Sequence, residues 1–74
     1  MQITVKLYGA LRTNRFKEQA CEYPEDISIQ SILDEFEFAE HLLGIILING
    51  VHATVADPLN DGDILSLLPM IDGG

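Results

Sequence analysis

Residues 45–55 read Ile-Ile-Leu-Ile-Asn-Gly-Val-His-Ala-Thr-Val, and this stretch decides the fold. Two runs of strand length flank the pair Asn49-Gly50. Asn-Gly is a strong hairpin signal, because both residues adopt positive φ at low cost. The first run is apolar at every position, which predicts a central strand that is covered on both faces, or on one face by a partner. The sequence therefore predicts a β-hairpin that turns at residues 49–50.

Two strands are predicted ahead of this hairpin. Residues 2–8 alternate between apolar and polar side chains, which is typical of a half-buried strand, and Gly9 ends it. The apolar side chains of this strand are Ile3, Val5 and Leu7. Residues 16–23 form a weaker second strand that directs Cys21 or Ala20 inward. Both strands come before the helix in the chain.

One main helix is predicted between these strands and the hairpin. Ser28 is the expected N-cap, because its hydroxyl can accept a hydrogen bond from a free amide of the first turn. An apolar stripe follows at helical spacing: Ile29, Ile32, Leu33 and Phe36. The helix is expected to end near Glu37 or Phe38. Phe38, Leu42 and Leu43 are expected to close this end of the helix over the core in a second short turn, which Gly44 stops.

The final strand is predicted over residues 64–68, and a tail follows it. The tail is expected to be flexible over residues 70–74, which leaves residues 1–69 as the folded domain. Gly73 and Gly74 have no side chain to pack, so a thin tail could thread a narrow channel in another protein. Five residues extend by roughly 16–18 Å, which is deep enough to enter a partner's active site.

The order strand, strand, helix, strand, strand, strand predicts the fold class. A single helix covers a sheet of this size only if the sheet curls around it. The expected architecture is therefore α+β, a β-grasp (ubiquitin-like) fold with a mixed sheet of about four to five strands around one main helix. Its first and last strands should be central and parallel, since the intervening chain supplies the long crossover.

Charge and length restrict the classes of partner. The 74 residues carry twelve acidic and four basic side chains, and the formal net charge is −8. Nucleic acids and anionic membranes are not expected as partners, because binding to phosphates rests on Lys and Arg. A partner with a basic docking surface would attract such a chain. No run approaches the roughly 20 apolar residues of a transmembrane helix, and no signal peptide precedes the first strand, so a cytoplasmic protein is expected.

The side chains that could carry chemistry are few. His41 and His52 have no further ligands at the spacing that a metal site needs, so no metal is expected. Cys21 has no neighbouring basic residue to activate its thiol, and a half-buried structural thiol is predicted. No glycine-rich phosphate loop is present, and no bound cofactor is expected. The chain is not expected to be catalytic on its own.

Four segments together resemble a known family. They are Val5-Lys6-Leu7-Tyr8-Gly9-Ala10-Leu11-Arg12, Ile48-Asn49-Gly50, Leu59-Asn60-Asp61-Gly62-Asp63 and Leu68-Pro69-Met70-Ile71-Asp72-Gly73-Gly74. In this order and spacing, the chain resembles the MoaD/ThiS sulfur carriers, ubiquitin-like proteins of molybdopterin and thiamine biosynthesis. The Leu-Pro start of the tail is closest to the small subunit of molybdopterin synthase. Met70 departs from that branch, which usually has a second proline there.

The resemblance implies a role for each residue of the tail. Gly74 would be adenylated with ATP by a separate enzyme and then converted to a C-terminal thiocarboxylate. Gly73 would keep the approach unhindered, and Pro69 would restrict the chain where it leaves the sheet. The remaining partner-binding positions are Leu67, Met70, Ile71 and Asp72.

The resemblance also implies partners and leaves alternatives open. The partners would be a ubiquitin-activating-type adenylating enzyme, a sulfur donor such as a cysteine desulfurase, and the large subunit of molybdopterin synthase or another sulfur acceptor. The alternatives are a carrier for the thiamine thiazole, a carrier for another pathway such as the tungsten cofactor, and a ubiquitin-like modifier that forms isopeptide bonds through Gly74. A plain interaction module with an inert tail is a further hypothesis.

Overall fold

The computed structural model describes residues 1–38 and 42–70, which form one sheet with a helix packed on one face. The elements in chain order are β1 (Gln2–Leu7), a 3₁₀ helix (Gly9–Arg12), β2 (Glu18–Glu22), α1 (Ile29–Phe36), β3 (Leu43–Ile48), β4 (Val51–Ala53) and β5 (Ile64–Pro69). The five strands are arranged in the order β2-β1-β5-β3-β4. This mixed sheet with its single α-helix confirms the predicted β-grasp fold.

The first and last strands are central, as the sequence predicts. β1 pairs with β5 in parallel, and the register places Val5 opposite Leu65 and Leu7 opposite Leu67. All other pairs of neighbouring strands are antiparallel. Because a parallel pair needs a long crossover, the helix and the hairpin both lie in the chain between β1 and β5. The end of β5, where the tail begins, therefore lies beside the end of β1.

Local signals set the ends of α1. The Ser28 hydroxyl accepts a hydrogen bond from the amide of Ser31 at 3.1 Å, which confirms the predicted N-cap. Glu37 adopts a left-handed conformation with φ of 55° and ends the helix where the sequence predicts. The predicted apolar stripe faces the sheet, with Ile29 and Ile32 fully buried.

The core lies between α1 and the inner face of the sheet. Alternation along β1 and β5 directs one side chain in two to this face. The fully buried large side chains are Ile3, Val5, Leu7, Leu11, Ile29, Ile32, Leu65 and Leu67. Cys21 is half-buried against this core, as predicted, whereas Ala20 is exposed. The core therefore fixes which faces of β1 and β5 remain for contacts with other molecules.

The hairpin turns at the predicted pair, with φ of 51° at Asn49 and 82° at Gly50. Its second strand ends at Ala53, earlier than the apolar and β-branched run suggests, because residues 54–57 form a turn. In this turn the amide of Thr54 donates to the Asp57 carboxylate at 2.7 Å. The prediction for Gly44 was wrong. Gly44 does not stop a turn but lies within β3, where the register against β5 shifts.

Residues 1–38 and 42–70 contain no helix that is both long and apolar enough to span a membrane. His41 and the last four residues, Ile71, Asp72, Gly73 and Gly74, lie outside the described residues. Predictions that fall on these positions stay predictions.

Candidate functional site

The candidate site is the point where the chain leaves the sheet. β5 runs one residue further than predicted, to Pro69, and the amide of Met70 still donates to the carbonyl of Leu42 at 2.6 Å. On the other side of β5, the amide of Tyr8 donates to the carbonyl of Leu67 at 3.1 Å. Hydrogen bonds from both neighbouring strands thus fix the position and direction of the chain up to Met70.

Two glycines form the walls of this exit. A Cβ atom on Gly9 would lie 2.9 Å from Cγ of Pro69, and Gly9 also has a positive φ of 55°. A Cβ atom on Gly44 would lie 2.7 Å from Cα of Met70 and 3.0 Å from the carbonyl oxygen of Pro69. At Gly9 the close atom is a ring carbon of Pro69, and the positive φ also favours glycine. The atoms close to Gly44 are backbone atoms, which real Cβ atoms do not approach this closely, so only glycine fits there without displacing the chain. Here the register shift in β3 has its physical reason: it brings a residue without a side chain against the outgoing strand.

Leu67 was predicted as an apolar docking contact, and this prediction is wrong. Its side chain is fully buried in the core, opposite Leu7. Because side chains alternate along a strand, its neighbour Leu68 points to the opposite face and is half-buried. Met70 is 59% exposed, and its role in binding a partner stays a prediction. Pro69 is half-buried beside Gly9.

The outer face of the sheet carries an apolar surface that ends at the tail. Ile45 lies opposite Leu68, and Leu47 lies opposite Ser66, on the face away from α1. Ile64 follows on the same face of β5 and is 36% exposed. We call Ile45, Leu47, Ile64 and Leu68 the outer apolar strip. An antiparallel sheet usually presents polar side chains on a face that no other element covers, so this strip is unusual for a face in contact with water.

The sequence contains a signal for this strip that could have identified its residues. The unbroken run 45–48 predicts a strand covered on both faces, or on one face by a partner. In the structure α1 and the core cover Ile46 and Ile48, and no described element packs over Ile45 and Leu47. The second alternative therefore fits, and the apolar residues of the run that point away from the core mark the candidate docking surface.

The described residues offer little for binding a small molecule. Three surface clefts have volumes of about 230, 230 and 260 Å³, below the usual range of ligand pockets, roughly 300–1,000 Å³. Within residues 1–38 and 42–70, no three His, Cys, Asp or Glu side chains are grouped as metal ligands. His52 is exposed on β4.

One buried titratable group lies away from this exit. Tyr23 is 8% exposed, and burial raises the pKa of its phenol above the ordinary value, with smaller contributions from Cys21 and Glu35. The thiol of Cys21 lies 3.7 Å from the carbonyl of Gln19. A phenol whose pKa is raised by burial stays protonated at neutral pH, so it is a structural group here and not a general base.

Comparisons with known proteins agree with this geometry. The family model described as "ThiS family" matches residues 5–74. The chain belongs to the ThiS family. Its fold is that of the ThiS/MoaD sulfur carriers. A search of curated protein sequences finds no match to this ThiS-family chain.

Solved structures share the fold of this ThiS-family chain at low sequence identity. A putative molybdopterin converting factor, subunit 1, from Pyrococcus furiosus is 22% identical with a TM-score of 0.76, over 95% of this chain and 98% of that one. A complex of subunits 1 and 2 of the molybdopterin-converting factor from Helicobacter pylori matches with 24% identity and a TM-score of 0.69, over 100% of both chains. SAMP1 from Haloferax volcanii is 21% identical with a TM-score of 0.74, also over 100% of both chains. At these identities the likeness establishes the ubiquitin-like β-grasp fold.

Proposed function

We propose that this protein is a sulfur carrier whose Gly74 is adenylated and then converted to a C-terminal thiocarboxylate. The observation that supports this most is the exit of the tail. Hydrogen bonds with Tyr8 and Leu42 hold the chain up to Met70, beside two glycines at which a Cβ atom would collide with Pro69 or Met70. Such an exit fixes where the tail begins and the direction of the chain at Met70. Membership of the ThiS family supports the same reading.

The proposed chemistry needs a partner enzyme. A terminal carboxylate, with a pKa near 3.5, is ionised at neutral pH and is a poor electrophile. Adenylation with ATP converts it to an acyl-adenylate and releases pyrophosphate. A cysteine persulfide on a donor such as a cysteine desulfurase then displaces AMP and forms an acyl disulfide. A thiol cleaves the S–S bond of this intermediate, which leaves the thiocarboxylate on the carrier and a disulfide on the donor side. The carrier itself needs no resident cofactor for this, because ATP is bound by the adenylating enzyme. Gly73 keeps the approach to Gly74 free of side chains.

We propose molybdopterin biosynthesis as the pathway, in the cytoplasm. The Leu68-Pro69 start of the tail and the likeness to subunit 1 of the molybdopterin-converting factors support this choice. The Helicobacter pylori protein is described as a complex of subunits 1 and 2, so a large subunit is the expected acceptor partner here as well. The outer apolar strip, with the exposed Met70, is the proposed surface on which that partner and the adenylating enzyme dock. Ile71 and Asp72 would make further contacts inside the partner's channel.

A ubiquitin-like modifier is the second candidate function. It is favoured by the likeness to two Haloferax volcanii structures, SAMP1 and a small archaeal modifier protein 1, at TM-scores of 0.74 and 0.72. Activation of Gly74 would be the same, but a lysine amine of a target protein would attack the activated carbonyl and form an isopeptide bond. A thiamine-thiazole carrier would again use the same tail with a different acceptor. Covalent conjugates in extracts therefore distinguish the modifier from both carriers.

The test is the intact mass of the protein purified from its own host without a C-terminal tag. A mass gain equal to exchange of one oxygen for sulfur, located in the Gly73-Gly74 peptide, is the expected result. Protein that carries only oxygen is then incubated with ATP, the host's adenylating enzyme, the sulfur donor and a thiol reductant, and the same gain is expected. Removal of Gly74, as the matched variant, should abolish the gain while the thermal unfolding midpoint stays unchanged. An unchanged mass of the intact protein after this incubation would refute the proposal.

A further inference from the structure

The charges of this chain are separated along its length. All four basic residues lie between positions 6 and 17, and all twelve acidic residues follow position 17. The net charge of −8 is therefore the sum of a positive segment, residues 6–17, and a strongly negative remainder of the chain. We call the four cationic side chains, Lys6, Arg12, Arg15 and Lys17, the basic rim.

The fold places this segment at the tail exit. β1 and β5 are parallel and end side by side, so the chain that follows β1 lies next to Pro69. Gly9 touches Pro69, and the amide of Tyr8 bonds to Leu67. The amide of Leu7 in turn donates to the carbonyl of Lys17 at 2.9 Å, which holds the far end of the segment at the same edge. The segment that carries Arg12, Arg15 and Lys17 thus lies at the end of the sheet where the tail leaves.

Two of the four cations are already engaged within the chain. Arg15 donates to the carbonyl of Phe36 at 2.8 Å, at the C-terminus of α1, and its guanidinium lies 4.7 Å from the centre of the Phe38 ring. Lys6 lies 3.8 Å from the carboxylate of Glu18. Arg12 and Lys17 are exposed and form no salt bridge within residues 1–38 and 42–70. Arg12 and Lys17 are therefore available to another molecule.

The end of the sheet at which β1 and β5 begin is acidic, and we call it the acidic edge. Gln2, at the start of β1, pairs with Glu22, and its amide donates to the Asp61 carboxylate at 2.6 Å. Glu25 and Asp26 are exposed at the nearby entry to α1. Charge is therefore distributed unevenly over the molecule. The acidic edge and the tail exit lie at opposite ends of β1 and β5.

We propose that the basic rim docks on an acidic surface around the mouth of the channel that receives the tail, on the adenylating enzyme. The proposal rests on the proposed function, since that enzyme is the partner. The net charge alone favours a basic partner surface, but at physiological salt the Debye length is about 8 Å, so nearby charges dominate once the proteins approach. Carboxylates at the channel mouth attract the basic rim, so they favour the orientation that brings the tail to the channel.

The experiment measures kcat/KM for adenylation by the host's enzyme, through ATP–pyrophosphate exchange at carrier concentrations below KM. The variants are Arg12→Glu with Lys17→Glu, at the rim, and Glu25→Lys with Asp26→Lys, at the acidic edge. A fourfold variant that combines both pairs keeps the net charge of the original protein. Each exposed ion pair changes affinity by about two- to fivefold, so loss and reversal of two should lower kcat/KM by about tenfold or more.

The positions of the charged residues, and not the net charge of the protein, should determine kcat/KM. The rim variant and the fourfold variant are both expected to lose activity, mainly through KM, and the loss should shrink in high salt. The acidic-edge variant is expected to equal the original protein within about twofold. Equal activity of the rim variant and the original protein would overturn the proposal while the proposed function stands. If the original protein is not adenylated at all, the proposed function fails and this inference fails with it.

Discussion

Replacement of Gly44 by alanine is the sharpest perturbation that the structure offers. The backbone of Gly44 does not have a positive φ, so alanine adds no conformational strain of its own. The new Cβ atom would lie 2.7 Å from Cα and 2.9 Å from the amide nitrogen of Met70. Both are backbone atoms, which no side-chain rotation can move away. The chain that leaves the sheet must therefore shift.

The size of the shift follows from ordinary contact distances. Carbon atoms pack at about 3.5–4.0 Å, so Met70 has to move by about 1 Å. The hydrogen bond from Met70 to Leu42, at 2.6 Å, would then lengthen to the limit of what counts as a bond. Loss of one such bond costs about 0.5–1.5 kcal/mol. We expect the free energy of unfolding to fall by about 1 kcal/mol, with the fold intact.

Two measurements report on the position of the chain where the tail leaves the sheet. Hydrogen exchange of the Met70 amide should accelerate by about fivefold, the factor that corresponds to about 1 kcal/mol of lost protection. The rate of adenylation should fall by a larger factor than the loss of stability explains. The reason is that a displacement of about 1 Å of a reacting group can lower a rate by up to about 100-fold.

Gly50→Ala is the matched control for this change. Gly50 lies in the same hairpin and has open space around its Cβ position, but its φ of 82° makes alanine costly, at about 1–2 kcal/mol. It should therefore lower stability without changing adenylation of the folded protein. If Gly44→Ala leaves both the exchange of Met70 and the adenylation rate unchanged, then the exit is not fixed by this contact.

Three further predictions concern stability and docking. Ser28→Ala removes the N-cap and should lower the free energy of unfolding by about 1 kcal/mol, measured by urea titration. Leu67→Ala should lower the free energy of unfolding by about 2–5 kcal/mol because its side chain is fully buried. Met70→Ala should change this free energy by less than about 0.5 kcal/mol, yet weaken binding to the adenylating enzyme. The reverse pattern would contradict the positions assigned to these two residues. The pKa of Tyr23 is raised by burial, so the folded protein keeps this proton above pH 10 while the unfolded chain loses it. Stability should therefore fall above about pH 10, by up to about 1.4 kcal/mol per pH unit more steeply than in Tyr23→Phe, and parallel curves would refute this.

Much of the fold could be predicted because its signals are local. The Asn49-Gly50 turn, the Ser28 cap and the alternation along β1 each depend on a few neighbouring residues, and the structure places all three as predicted. The parallel pairing of β1 with β5 followed from the order of elements alone. These features need no knowledge of distant contacts.

The errors at the candidate site have a common physical origin. Gly44 was predicted to stop a short turn. In the structure a glycine is needed there because a side chain would collide with Met70, which is distant in the sequence, so no local pattern indicates this. Leu67 and Leu68 are adjacent and equally apolar, so composition does not tell which one faces the core. The register with β1 decides it, and Ser66 was the available clue, since a polar residue in this position favours the outer face for itself and the inner face for both neighbours.

The parallel pairing of β1 and β5 has a mechanical consequence. A partner that holds the tail pulls on β5 along the strand axis, away from its start. The hydrogen bonds that join β5 to β1 and β3 lie across that direction, so such a force loads them together and does not peel them apart one at a time. The strand that carries the tail is thus anchored in shear between two neighbours, and an enzyme could draw the tail deep into its channel, under tension, without unravelling the protein that presents it.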